Sequence, residues 1–232
     1  MSSIKAVLWD IDGTLLNFEE SEKHAIRSCF AKFGLGECTD EMLAEYSQIN
    51  RKYWQMLERG ELTKPQVLEG RFLEFFGKRG LDTSCVAQFN GQYQISLGDT
   101  FCFYDGALET VQSLRGKVKQ YAVTNGTAIA QKRKLAGSGL DQLLDGVFIS
   151  EEVGVEKPGV DFFHRVFEKI GTYNGDEVLI VGDSLTSDIQ GGNNAGILCC
   201  WFNHKGDKAK DGLRIDYEIQ NLSEVLGIWE KS

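Results

Sequence analysis

Only two prolines, Pro65 and Pro158, occur in the 232 residues, and no stretch is of low complexity, which argues against modules strung on a flexible linker. No apolar run approaches the ~18 residues that a membrane-spanning helix needs. Histidine is equally scarce. His24, His164 and His204 pair with no CxxC and no zinc-like cysteine spacing, so a structural zinc site is not indicated. The six cysteines, Cys29, Cys38, Cys85, Cys102, Cys199 and Cys200, fall largely on apolar faces, as inert thiols do in a reducing cytoplasm. The amino-terminal residues enter a strand pattern directly, without a signal peptide, and the expected location is cytoplasmic. Cations are outnumbered: 25 Lys and Arg against 34 Asp and Glu leave a net charge of −9. A protein that coats a nucleic-acid polymer carries a basic face, so that class is disfavoured. A small anionic substrate is not, because a bound divalent cation reverses the local field of an acidic site.

What remains is an ordinary globule, 42% apolar and 25% charged, long enough to bury a full core. There is no internal repeat, but the chain changes character twice. Ile4 to Trp9 reads as a short buried strand stopping at Asp10. From about 17 to 98 the pattern is helical throughout. Ile26, Cys29, Phe30 and Phe33 form one stripe, stopped by Gly34. Met42, Tyr46, Ile49, Tyr53 and Leu57 form a second, between start signals at Thr39 and Asp40 and a stop at Gly60. A third helix starts at Thr63 and Pro65, buries Leu68, Phe72, Phe75 and Phe76, and is expected to end at Gly77. Val86, Phe89, Tyr93 and Leu97 make a fourth. Strand and helix signals then alternate: strands at Val118–Thr124, Val147–Ser150, Glu177–Val181, Ile197–Phe202 and an edge at Ile215–Ile219, with helices between. Such alternation predicts an α/β fold, a parallel sheet with helices on both faces, whose ligand sits beyond the carboxyl ends of the strands.

The polar residues of interest fall at those ends. Asp10-Ile11-Asp12-Gly13-Thr14 follows the first strand. Two carboxylates two positions apart can share a pocket, one as nucleophile and the other as general acid, or the segment is merely a strand-ending Asp-Gly turn. Thr124-Asn125-Gly126 offers a hydroxyl and backbone N–H groups to phosphate oxygens, and is otherwise another turn. Lys157-Pro158 places a point cation before a helix, where a solvated lysine is the commoner case. Gly182-Asp183-Ser184, with Asp188 five residues on, supplies carboxylates suited to Mg²⁺, although Asp188 is also what a first helical turn favours.

In this order, at successive strand ends, the four segments resemble the haloacid dehalogenase-like superfamily of aspartate-nucleophile phosphatases. The resemblance implies a Rossmann-like parallel core formed by residues 1–16 and 99–232 and an inserted helical cap at 17–98. It implies Asp10 as nucleophile, Asp12 as acid and base, and Thr124, Asn125 and Lys157 as phosphate-binding residues, with Asn125 acting largely through backbone N–H groups and Lys157 also catalytic. It further implies Mg²⁺ held by Asp10, Asp12 through its backbone carbonyl, Asp183 and Asp188. The cap segments Ile49-Asn50-Arg51-Lys52-Tyr53-Trp54 and Gly70-Arg71-Phe72, and the stretch from Ile149 to Pro158, are similar to the branch of pyrimidine 5′-nucleotidases. That narrows the implied substrate to a small phosphorylated metabolite of nucleoside monophosphate type. A phosphoglycolate or sugar-phosphate phosphatase and a phosphosugar mutase share the motifs and stay open; a non-catalytic binding module, which tends to lose the nucleophile or the metal carboxylate, is disfavoured because Asp10, Asp12, Lys157 and Asp183 are all present. Asn17, Phe18, Tyr53, Trp54 and Arg71 are candidate readers of the leaving group, against a simpler reading of Tyr53 and Trp54 as cap core. His204 is placed on a surface loop, and Pro158 is a candidate cis residue.

Overall fold

A computed structural model describes residues 3–209 and 211–232. Strand β1, Ala6–Trp9, is buried along its whole length, as its uninterrupted apolar sequence requires of a central parallel strand. Around it lie β2 (Lys119–Thr124), β3 (Gly146–Ile149), β4 (Val178–Gly182), β5 (Leu198–Phe202) and β6 (Tyr217–Ile219). All pair in parallel, in the order β3-β2-β1-β4-β5-β6. β1 is flanked by β2 on one side and β4 on the other, so the chain leaves it in opposite directions. A crevice opens there, at the carboxyl ends of the strands.

Between β1 and β2 runs a segment of four long helices, α1 (Phe18–Phe33), α2 (Asp40–Glu58), α3 (Lys64–Arg79) and α4 (Val86–Gly98). They enclose a core of their own, dominated by aromatic edges: Tyr46 stacks on Phe72 at 5.0 Å, and Phe72 meets Phe89 edge-on at 5.1 Å. α3 outruns the expected stop at Gly77. Gly77 sits in the helix, and the left-handed cap falls on Gly80 at φ 64°, where a residue with a side chain would be strained.

The remaining helices are α5 (Ala107–Leu114), α6 (Ala128–Ser138), a single turn α7 (Ser150–Val153), α8 (Val160–Ile170), α9 (Gln190–Ala195) and α10 (Glu224–Lys231). The eight-residue α5 and α10 were not anticipated: two turns give too short a stripe to read. Ser150, expected in β3, opens α7 instead. Before α9 the chain makes a wide π turn, Leu185–Ile189, of the kind that accompanies functional sites. No helix among the described residues is long and apolar enough to cross a membrane.

Candidate active site

Asp10 leaves β1 with its N–H bonded to the Val181 carbonyl at 2.9 Å, which registers it against β4. Three residues on, the chain turns at Gly13, φ 98°. A Cβ there would lie 2.6 Å from the Asp183 carboxylate, so glycine permits the β1 and β4 ends to close on each other. Thr14 ties that closure: its hydroxyl donates to Asp10 Oδ2 at 3.1 Å and accepts the Asp183 N–H at 3.1 Å.

Lys157 reaches into this crevice from the loop after α7, its side chain 1% exposed. Its three donors are all taken, by Asp10 Oδ1 at 2.8 Å, Asp188 Oδ1 at 2.6 Å and the Val123 carbonyl at 2.7 Å. Asn125 holds the lysine's backbone from both sides, donating to the Lys157 carbonyl at 2.7 Å and accepting its N–H at 2.9 Å. The side chain of Asn125 is therefore engaged, where its contribution was expected to come largely through backbone N–H groups. The Lys157-Pro158 peptide is cis. Thr124 is buried at the end of β2, its hydroxyl accepting the Gly126 N–H at 3.1 Å.

Asp10, Asp183 and Asp188 present carboxylate oxygens that all lie within 4.8 Å of one another. Burial and the neighbouring Asp188 push the Asp10 carboxyl up to about 7 despite Lys157. Burial, then Asp10 and Asp188, hold Asp183 far above the usual range, and burial raises Asp188 against the pull of Lys157. Burial works against the charge on Lys157, but its two carboxylate partners outweigh it and raise its pKa. Three carboxylates face one lysine, and that surplus of negative oxygen is the donor set that suits a hard divalent cation.

The carboxylate of Asp12 is not part of this cluster. It is turned toward α6, where Gln131 Nε2 donates to its Oδ2 at 2.6 Å and the fully buried Lys134 ion-pairs with its Oδ1. Neither α6 residue was anticipated. Polar residues three apart in a helix with a basic exposed face read as solvated, and only their i, i+3 spacing hinted at a common direction.

Above the cluster lies a cavity of about 210 Å³ lined by Asp10, Asp12, Thr124 and Asp183 from the sheet side and by Phe18 and Trp54 from the helices. It adjoins one of about 170 Å³ that adds Ser47, Asn50 and Arg51, and one of about 360 Å³ toward Trp201 and Lys205. Trp54 thus faces the crevice, and the simpler reading of it as packing is corrected: it lines all three cavities. Tyr53 does pack, against the helical core and over Gly70. Arg71 is overturned as a reader. It is 1% exposed, bonded to Asn50 and Asn90, and lies between the rings of Phe72 and Tyr93. Asn17 caps α1. His204, expected on a surface loop, is half-buried against Phe202 and Tyr104 and lines two of the cavities. Polar contacts fasten the helices over the crevice, among them Lys64 to Ser150 at 2.6 Å, Glu58 to Thr186, and Glu19 to Lys205.

Residues 4–196 match the family model of haloacid dehalogenase-like hydrolases. The chain is 33% identical to the HAD-hydrolase YfnB of Bacillus subtilis, over 98% of this chain and 96% of that one. It is 32% identical to the pyrimidine 5′-nucleotidase PynA of Streptococcus pneumoniae, again over 98% and 96%. The crystal structure of YfnB bound to magnesium superposes with a TM-score of 0.91 at 32% identity, covering 97% of this chain and 98% of that one. Strand order, the strand-end carboxylates and full-length similarity agree: the chain is an enzyme of the haloacid dehalogenase-like hydrolase family.

Proposed function

We propose that this hydrolase cleaves phosphomonoesters in two in-line steps, and that its substrates are pyrimidine nucleoside 5′-monophosphates. The observation that carries the chemistry is the crevice at the β1 and β4 ends. There a carboxylate raised in pKa, two further carboxylates and one buried lysine converge beside the Thr124 hydroxyl.

In the first step an Asp10 oxygen attacks phosphorus as the bond to the sugar oxygen breaks, and Asp12 gives that oxygen a proton. In the second, water attacks phosphorus and passes its proton to Asp12. The bond to Asp10 breaks, and inorganic phosphate leaves with both carboxyl groups restored. Lys157 and Thr124, with the backbone N–H groups that follow Thr124, stabilise the charge gathering on the phosphoryl oxygens. Asn125 holds Lys157 in register for that role. Asp10, Asp183 and Asp188, with the Asp12 carbonyl, are the donors for Mg²⁺, which supplies positive charge to offset the phosphoryl dianion. Residues 17–98 act as a cap over the core of 1–16 and 99–232. They exclude water and present Trp54 and Phe18 to the leaving group.

The substrate class is drawn from relatives, PynA above and the pyrimidine 5′-nucleotidase YjjG of Escherichia coli, 28% identical over 94% of this chain. The aromatic walls of Trp54 and Phe18 suit a flat base. Phosphate release across nucleoside monophosphates and small sugar phosphates, with Mg²⁺ and with EDTA, tests the reading. Turnover is expected with Mg²⁺, best on pyrimidine monophosphates, and absent in Asp10→Asn. A preference for a sugar phosphate would overturn the substrate, and metal-independent turnover the mechanism. The reaction needs no nucleic-acid polymer or membrane, and a cytoplasmic location fits its free thiols.

A further inference from the structure

We propose that Lys134, with Gln131, is a positioning residue that sets the direction from which Asp12 exchanges its proton with the leaving oxygen. The proposal rests on Asp12 being the acid and base of the reaction.

Two buried lysines take three of the four carboxylates of the crevice, and Asp183 is bonded by neither. Lys157 takes Asp10 and Asp188, and its third donor goes to the Val123 carbonyl, so nothing is left for Asp12. Lys134 takes Asp12 alone. Its side chain is wholly buried, roofed by the Phe18 ring at 5.3 Å, while the Asp12 carboxylate stays 19% exposed at the cavity wall. Burying an ammonium group carries a desolvation cost that a single partner seldom returns in full, and a surface cation would satisfy Asp12 without it. What burial adds is fixity. With Gln131 on one oxygen and Lys134 on the other, both torsions of the aspartate are determined, and each oxygen retains a lone pair for the cavity side.

The clamp is also continuous with the loop that follows β2. Gly126 stands against Gln131, where any Cβ would collide with the amide, so the missing side chain is what lets Gln131 pass beneath the loop to Asp12. Thr127, which caps α6, donates to Gln94 of α4 at 2.7 Å. Phosphate-facing loop, clamp and proton carrier therefore form one unit. Proton transfer requires heavy atoms within about 2.6–3.2 Å, and a misplacement of about 1 Å can cost roughly 10²-fold.

A leaving-group comparison in single turnovers separates positioning from mere support. The first step on an alkyl phosphate, such as a nucleoside 5′-monophosphate, needs a proton on the departing oxygen; the same step on p-nitrophenyl phosphate does not. Lys134→Met is expected to slow the first turnover about 10²-fold on the alkyl ester and less than about threefold on the aryl ester, with inhibition by inorganic phosphate unchanged. Equal losses on both esters overturn the proposal. Asp12→Asn in the same assay tests the underlying reading. If it shows no leaving-group selectivity, Asp12 is not the acid and the proposal falls with it; if it does, the Lys134 result decides alone. Should Lys134→Met not fold, Gln131→Leu removes the neutral arm without stranding a buried charge. It is expected to give the same selectivity at about tenfold, and its absence overturns the proposal equally.

Discussion

Two regions of the molecule bury charge, and they do so differently. In the helical segment Asn50 donates to Glu22 at 2.7 Å, Arg71 donates to Asn50 at 2.7 Å and to Asn90 at 3.2 Å, and Gln94 donates to Asn90 at 3.2 Å. One anion and one cation are joined by neutral amides, one strand of polar contacts through an aromatic core. At the strand ends, three carboxylates crowd one lysine and all three are pushed up in pKa. A network balanced in charge belongs to the fold. An unbalanced one is held in place by surrounding structure and completed by something that binds.

Removing one charge from each region should give opposite signatures. Asp183→Asn is expected to cut phosphate release by roughly 10²–10³-fold, because a carboxylate that would hold Mg²⁺ is lost, and with it positive charge facing the phosphoryl group. In EDTA its melting temperature should equal or exceed that of the unaltered chain, since a repulsive partner is gone. A lower melting temperature would mean that the three carboxylates are a stabilising network after all. Arg71→Met should do the reverse. It strands Glu22 and two amides in a core and is expected to cost about 3 kcal/mol in stability. For a chain of this length that is about 6–12 °C in melting temperature. Turnover well below the transition should change less than about threefold. A large fall in turnover at intact stability would place Arg71 in the site.

The same contrast explains what could be read from the sequence. Asp10, Asp12, Thr124, Lys157 and Asp183 each sit at or just beyond a strand end or before a proline, where short-range signals are strongest, Asp188 lies in the π turn that follows β4, and the fold brings all six to one crevice. What the sequence hid were residues whose meaning depends on a partner far along the chain. Lys134 is 122 positions from Asp12, inside a helix whose neighbours Lys132 and Arg133 are exposed. Arg71 reads as a residue for the leaving group until Asn50, Asn90 and two rings are seen around it. Trp54 is the converse. Its place on α2 resembles that of packing residues, and only the docking of α2 over the sheet turns it to the crevice.

A milder test needs no substitution. The Asp10 carboxyl is raised to about 7 in the folded chain, against an ordinary value of 3.8. Between those values the native state binds a proton that the unfolded chain does not, so stability falls as pH rises through about 7 and is regained on acidification. In EDTA the stability should increase by on the order of 1 kcal/mol from pH 8 to pH 6. Mg²⁺, which favours the ionised carboxylates, should flatten the dependence, and Asp10→Asn should weaken it to what Asp183 and Asp188, raised chiefly by burial, still contribute. A melting temperature that is flat across this range in EDTA would show the cluster to be no less balanced than the Glu22–Arg71 thread.

The smallest effect concerns the surface where the two regions meet. Trp54 belongs to the helical segment but lines the cavities above the strand ends, so its energy should appear in substrate binding rather than in folding or chemistry. An aromatic face stacked on a base is worth about 0.5–1.5 kcal/mol. Trp54→Ala is therefore expected to raise KM for a pyrimidine monophosphate by about three- to tenfold and leave kcat nearly unchanged, because the base is remote from the reacting phosphorus. On a phosphoester too small to reach the ring, both constants should stay as they were. Equal rises in KM on both substrates would mean that Trp54 shapes the crevice as a whole, and the division between a helical segment that reads and strand ends that react would fail at the residue where it is most exposed.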